Sequence, residues 1–131
     1  YAKVCGGNSI IEHNGDVYPC DHFVYTKYKL GNIQDRSLRE MMQSSEQVKF
    51  GLDKRSSLPS KCLRCKWEFV CHGECPKHRF NRTENGDTGL NALCSGYQKF
   101  YEHSAPYMEK MKELLEKQAP PSLIIPWARM R

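Results

Sequence analysis

The sequence predicts a small, loop-rich α+β fold whose short elements are organised around bound metal. Three observations support this fold class. The chain has 131 residues, enough for one domain, but only 39% of them are hydrophobic and the mean hydropathy is −0.72. It carries one clear hairpin signal and one clear helical stripe. It also contains seven cysteines. A chain with so few apolar residues to bury usually needs disulfides or bound metal for stability.

The first predicted element is a β-hairpin. Residues 9–18 read SIIEHNGDVY, two β-prone arms around Asn14-Gly15. This dipeptide accepts positive φ at both central positions of a two-residue turn. Cys5 and Cys20 flank the segment, so the hairpin is expected to bring two distant thiols to its open end.

Two short helices are predicted after a strand near residues 30–33. Each begins with a serine followed three residues later by glutamate or glutamine, the spacing of a capping box. The two pairs are Ser37 with Glu40 and Ser44 with Gln47. They predict one helix over about residues 38–44 and a second that ends near residue 51.

The rest of the chain is predicted to be mostly loop until a C-terminal helix. The polar segments 53–61 and 81–89 are expected to be surface loops. From Ser104 the apolar residues recur at helical spacing, and Pro120 ends the pattern. This helix is expected to pack the small core.

Composition also limits the class of protein. The net charge is +5, from 20 basic and 15 acidic residues that are scattered along the chain, which argues against a nucleic-acid surface. There is no apolar run long enough for a membrane span and no signal peptide pattern, so neither membrane nor secretion is expected. The expected compartment is the cytoplasm, where thiols serve metals or redox chemistry.

The domain organisation follows from these segments. Because the sequence begins with Tyr1 rather than methionine, we interpret it as a piece of a longer protein. Residues 1–118 are expected to form one domain, and residues 119–131 an apolar, basic tail.

The cysteines leave more than one type of site open. Residues 62–75, CLRCKWEFVCHGEC, contain four cysteines that together would suit a closed, tetrahedral zinc site. Seven is an odd number, which disfavours a complete set of disulfides. In two-cluster ferredoxins, the last cysteine of a tight run ligates the other cluster. On that precedent Cys94 would join the first three cysteines of the run, and Cys75 would join Cys5 and Cys20.

The spacing of all seven cysteines resembles the signature of the SPASM domain, the C-terminal extension of many radical S-adenosylmethionine enzymes that modify peptides and proteins. The pattern is Cys5-x9-Gly15-x4-Cys20, then Cys62-x2-Cys65-x5-Cys71-x3-Cys75, and finally Cys94. Within that superfamily, the segments CDHF, KLGNI and GECPKHR are similar to the anaerobic sulfatase-maturating enzymes. Those enzymes convert a serine or cysteine of a sulfatase to Cα-formylglycine.

The resemblance implies two 4Fe-4S clusters bound by two cysteine sets. The sets are Cys5, Cys20 and Cys75 for the first cluster, and Cys62, Cys65, Cys71 and Cys94 for the second. In the sulfatase-maturating group, the fourth ligand of the first cluster lies just before the position of Cys5, outside this sequence. In an aerobically produced fragment, zinc is an alternative occupant of such thiolates.

The resemblance also implies a role for Asp21, which directly follows a cluster ligand. It would be the base that takes a proton from the substrate side chain. The alternative for Asp21 is a hydrogen-bonding role in the turn after the hairpin. The implied partners are a sulfatase peptide and the S-adenosylmethionine-binding barrel of the same parent chain.

This chain lacks the Cys-x3-Cys-x2-Cys motif that starts radical chemistry, since His78 stands where the third cysteine would be. We therefore expect no radical chemistry from this chain alone. The histidines beside cysteines are expected not to ligate metal, and Arg79 is expected to belong to a solvated basic patch. Two other hypotheses remain: a maturase of ribosomally made peptides, and a zinc-stapled binding module without redox function.

Overall fold

The computed structural model describes residues 1–130, which divide into two compact units. The first unit, residues 1–92, alternates small antiparallel sheets with short helices, and the second unit, which begins at Leu93, is helical. This is the small, loop-rich α+β fold that the sequence predicts. The predicted limits of the cysteine domain, residues 1–118, stay a prediction. Among the helices of residues 1–130, none has the length and apolar character needed to cross a bilayer.

The predicted hairpin is present, but its turn differs. Strands β1 (Ile10–Ile11) and β2 (Asp16–Tyr18) pair antiparallel. The amide of Gly15 donates to the carbonyl of Glu12 at 2.8 Å, and Gly15 alone in this turn has a positive φ, +87°. This is a three-residue loop that ends in a left-handed glycine, so the predicted two-residue turn was wrong. The Asn14 side chain instead accepts a hydrogen bond from the first amide of β2, at 3.1 Å.

A third strand and a short helix complete the core of the first unit. Strand β3 (Gly31–Asn32) confirms the strand predicted near residues 30–33, and it pairs with β2 to give the order β1-β2-β3. Helix α1 (Leu38–Met42) lies after it. The buried apolar cluster consists of Val17, Leu30 and Met41, of which Val17 and Met41 are 0% exposed. The core is therefore small, and each of its side chains carries a large share of the stability.

We expect Met41→Ala to reduce the free energy of unfolding by about 2–5 kcal/mol, because it removes a fully buried side chain and leaves a cavity. Urea denaturation of protein prepared with and without metal would measure the loss. The matched control is Leu52→Ala, since Leu52 is 56% exposed and its truncation should change stability by less than about 0.5 kcal/mol. Equal losses in the two variants would contradict the assignment of the core.

Both predicted capping pairs start helices. The side-chain oxygens of Ser37 and Ser44 accept hydrogen bonds from amides three residues further on, at 3.3 Å and 3.2 Å. The second helix, α2 (Ser45–Ser56), continues through Gly51, where the sequence predicted its end. A Cβ at position 51 would lie 2.5 Å from the carbonyl oxygen of Cys5. Glycine is needed here because the N-terminal segment passes close to the helix.

The two predicted surface loops contain regular structure. Helix α2 and the next helix, α3 (Ser60–Leu63), occupy most of residues 53–61. After α4 (Glu68–Cys71), strands β4 (Asn81–Arg82) and β5 (Thr88–Leu90) form a second antiparallel sheet. The prediction of loops was wrong. Both residues of β4 are exposed, so the sequence there lacks the alternation of apolar and polar residues from which a strand is predicted.

The second unit is built on one long helix. Helix α5 (Cys94–Glu116) begins well before the predicted start and passes through Pro106. Leu114 is its one buried residue, so the helix does not supply the core that the sequence assigned to it. The predicted tail contains α6 (Ile124–Arg129), whose Trp127 packs edge-on against Tyr107 of α5, with ring centroids 5.7 Å apart.

Candidate metal centres

All seven cysteines are partly exposed, and within residues 1–130 none is joined in a disulfide. The six in the first unit lie on different elements: two near the hairpin, and four between α3 and the segment after α4. Their thiols are therefore available as ligands. The arrangement of these thiols tests whether the two predicted sets come together.

Cys5, Cys20 and Cys75, which we name the first thiol group, interact electrostatically. Burial raises the pKa of Cys5; the nearby ammonium of Lys54 opposes this effect and Cys75 adds to it. Burial also raises the pKa of Cys20, and both Asp21 and Cys75 add to the rise. Cys75 thus affects the charge of two thiols that are more than fifty residues away in sequence. That these three residues bind one cluster stays a prediction.

The open end of the hairpin offers space beside this group. A cavity of about 530 Å³ is lined by Cys5, Cys20, Asp21 and Lys54, among other residues. The backbone of Cys5 is fixed by its amide, which donates to the carbonyl of Gly51 on α2 at 3.1 Å. Two members of the first thiol group, Cys5 and Cys20, therefore face a cavity, and the backbone of Cys5 is held by α2.

Asp21 lies directly against the first thiol group. Cys20 Sγ donates to Asp21 Oδ1 at 3.1 Å, and the His22 amide donates to the same oxygen at 3.1 Å. The hydrogen bond from Cys20 is the largest cause of the lowered pKa of Asp21, and the side chain is 72% exposed. The carboxylate is thus ionised, which is the form that can accept a proton, and it is accessible from solvent. It also fills the alternative role, because it stabilises the turn after the hairpin.

The three histidines near cysteines have different contacts. His22 Nδ1 lies 3.2 Å from Cys75 Sγ, so it touches the first thiol group directly. His72 and His78 lie beside carboxylates instead, at 3.2 Å from Glu68 and 2.8 Å from Glu74. The ligand atoms of Cys20, Asp21 and His22 lie within 4.8 Å of one another. His22 is therefore the one of these three that contacts a predicted cluster ligand.

Cys62, Cys65 and Cys71 form the second thiol group, which lies on α3, α4 and the turn between them. The Cys65 amide donates to the carbonyl of Cys62 at 3.1 Å. Burial raises the pKa of Cys71, and its neighbour Cys65 adds to the rise. Cys94 begins α5 in the second unit, and its place in this ligand set stays a prediction.

The loop 72–74 connects the two thiol groups and has an unusual backbone. All three residues have positive φ, 46°, 67° and 55°. The guanidinium of Arg79 donates to the carbonyls of all three, at 2.8 to 3.1 Å, and to the carbonyl of Lys54 at 2.7 Å. A Cβ at Gly73 would lie 2.7 Å from Arg79 Nη2. The expectation that Arg79 belongs to a solvated patch was wrong, because its charge is directed inward to this loop.

Comparison with known proteins places the chain in a class. The SPASM family, described as an iron-sulfur cluster-binding domain, matches residues 5–66. Together with the two thiol groups, this match defines a domain that binds iron-sulfur clusters through cysteine. The chain belongs to the SPASM family, in the form found in anaerobic sulfatase-maturating enzymes.

Relatives of that type match nearly the whole chain. The chain is 53% identical over 124 residues to a serine-type anaerobic sulfatase-maturating enzyme of Bacteroides thetaiotaomicron, a match that covers 94% of this chain and 30% of the relative. It is 34% identical over 102 residues to a cysteine-type enzyme of Clostridium perfringens, covering 78% of this chain and 27% of the relative. The chain therefore spans less than a third of the length of these relatives.

A solved structure shares the fold. Native anSMEcpe with bound AdoMet and a Cp18Cys peptide is 30% identical to this chain and superposes with a TM-score of 0.71. The match covers 86% of this chain and 31% of that one.

Proposed function

We propose that this chain is the cluster-binding part of an anaerobic sulfatase-maturating enzyme, which converts a serine or cysteine of a sulfatase to Cα-formylglycine. The observation that carries the proposal is the surroundings of the first thiol group: Cys5, Cys20 and Asp21 line one cavity, and His22, beside Asp21, lies 3.2 Å from Cys75 Sγ. The similarity to serine-type and cysteine-type enzymes supports the same reaction. A bound peptide in a similar structure supports a peptide substrate.

Two cysteine sets would hold two 4Fe-4S clusters. They are Cys5, Cys20 and Cys75, with one ligand from outside this sequence, and Cys62, Cys65, Cys71 and Cys94. The cysteine pattern supports these sets, and the electrostatic effects of Cys75 on Cys5 and Cys20 and of Cys65 on Cys71 agree with them. When bound, such clusters supply one-electron transfer at thiolate-ligated iron.

The residues around the first thiol group would act on the substrate. Asp21 is ionised and exposed, so it is suited to accept a proton from the reacting carbon of a peptide bound at the cavity. His22 lies between Asp21 and Cys75 and would orient the Cys75 sulfur. The barrel of the parent protein would bind S-adenosylmethionine, for which this chain has no Cys-x3-Cys-x2-Cys motif.

Metal analysis of anaerobically reconstituted protein tests the proposal. We expect about eight iron and eight sulfide per chain from the two clusters, in addition to any cluster of the barrel, with the broad visible absorption of 4Fe-4S centres. Zinc binding without sulfide, after anaerobic reconstitution with iron and sulfide, would favour the zinc-stapled module. Peptide assays with a sulfatase-derived serine or cysteine peptide then separate a sulfatase-maturating enzyme from a maturase of ribosomal peptides.

A further inference from the structure

Two cationic side chains, the buried Lys54 and the half-buried Arg79, lie near the thiol groups. Lys54 is 4% exposed, and its ammonium donates to the carbonyl of Ala2, a neutral partner. Lys54 and Cys5 line the same cavity, and the positive charge of Lys54 opposes the rise in the pKa of Cys5 caused by burial. Burying an ammonium is costly unless an anion compensates it. The position of Lys54 is therefore best explained by negative charge at the first thiol group.

The charge of Arg79 interacts with more thiols than the charge of Lys54 does. Its charge interacts with Cys5 and Cys75 of the first thiol group and with Cys62 and Cys71 of the second. The four hydrogen bonds that its guanidinium makes within residues 1–130 all go to backbone carbonyls, so these bonds do not neutralise the charge. A guanidinium also stays protonated in proteins. Arg79 thus holds a permanent positive charge between the two groups.

Glu74 is a buried carboxylate in the same loop. It is 5% exposed, and its Oε2 accepts a hydrogen bond from Asn91 at 2.7 Å and lies 2.8 Å from His78 Nδ1. Its negative charge acts on Cys71. It makes no hydrogen bond to either cation, because within residues 1–130 the side chains of Lys54 and Arg79 donate to backbone carbonyls.

We propose that Lys54 and Arg79 set the reduction potentials of the two clusters: Lys54 acts on the first cluster alone, and Arg79 acts on both and links them. This rests on the proposed function, which supplies the clusters. Reduction adds one electron to a cluster and forms or breaks no bond, so the reduced state is more negative by one charge. A nearby cation in a low-dielectric site stabilises that state, and net charge is one of the main determinants of cluster potential.

The test is a redox titration of the anaerobically reconstituted full-length protein with dithionite, followed by electron paramagnetic resonance. Cys20→Ser and Cys71→Ser assign the signals to the first and second cluster. We expect Lys54→Met to lower the midpoint potential of the first cluster only. Arg79→Gln is expected to lower both. Each shift should reduce the ratio of reduced to oxidised cluster at least about tenfold at fixed potential, which is about 59 mV for one electron.

Matched controls separate charge from structure. Lys49→Met removes a lysine from the same helix whose side chain is 74% exposed, and Arg82→Gln removes an exposed arginine near Arg79 in sequence. Neither should shift a potential by a comparable amount, because solvent screens exposed charge. Arg79→Lys keeps the charge but loses the hydrogen bonds to the loop 72–74. It should keep both potentials close to the original values while lowering the thermal stability.

Three outcomes would overturn the proposal: an unchanged first potential in Lys54→Met, an unchanged second potential in Arg79→Gln, or equal shifts in Arg79→Gln and Arg79→Lys. If Arg79→Gln loses its iron, Lys54→Met and Arg79→Lys still decide between these results. The proposed function fails separately, since protein without any cluster would be found by iron and sulfide analysis before the titration begins.

Discussion

Replacing Asp21 with asparagine in the full-length enzyme is expected to reduce formylglycine formation by about 10²- to 10⁴-fold, the usual contribution of a positioned general base. After hydrogen abstraction, the substrate radical must lose a proton and an electron to become the aldehyde or thioaldehyde. Asp21 would take the proton, because it is an ionised and exposed carboxylate beside the first thiol group. Asparagine keeps the shape and the hydrogen bond from the His22 amide, but it cannot act as a base.

The measurement is the yield of formylglycine in a sulfatase-derived peptide by mass spectrometry, together with iron content and cleavage of S-adenosylmethionine. Iron content and cleavage should be unchanged in Asp21→Asn. Asp35→Asn, at an exposed position on another turn, is the matched control and should keep the original yield. If Asp21→Asn loses its iron, the residue is structural, as the hydrogen bond to the His22 amide allows. A normal yield would mean that the base lies elsewhere.

The second large effect is expected for Cys94→Ala. If Cys94 completes the second cluster, this variant should lose about four iron and four sulfide per chain while the first cluster remains. The fold should also loosen, because metal binding in such small domains is coupled to folding. Iron analysis and thermal denaturation measure the two effects. Cys71→Ala is the comparison variant and should lose the same four irons.

An iron content that stays at the original value in Cys94→Ala, with loss in Cys71→Ala, would remove Cys94 from the ligand set. In that case the fourth ligand of the second cluster would have to be found elsewhere. Loss of both clusters from Cys94→Ala would instead show that the two centres depend on each other for assembly.

Features that depend on neighbouring residues could be predicted from the sequence. The serines that cap α1 and α2 accept hydrogen bonds from amides three residues further on, so four consecutive residues contain the whole pattern. The two cysteine sets, which stay a prediction, come from the family spacing alone. The position of the turn at Gly15 was predicted correctly, but its type was not. The type depends on the hydrogen bond that the Asn14 side chain accepts from the amide of Asp16.

Features that depend on distant residues could not be predicted. Gly51 was predicted to end a helix. The group that requires glycine at this position is the carbonyl of Cys5, which lies 46 residues away in the sequence. Arg79 looked like part of a surface patch because the carbonyls that it binds belong to a loop whose shape the sequence does not reveal. In both cases the decisive partner is a backbone group, which has no signature in the amino-acid sequence.

The left-handed loop 72–74 explains why two cysteines separated by three residues can serve different centres. If α4 continued as a helix, Cys71 and Cys75 would be four residues apart on one helical face, and both sulfurs would point to the same place. The helix ends instead at Cys71, and three left-handed residues reverse the path of the chain. Cys71 is therefore affected by the charge of Cys65, whereas Cys75 affects Cys5. If the two predicted centres form, the left-handed backbone of this loop is what allows one Cys-x3-Cys segment to contribute a ligand to each of them.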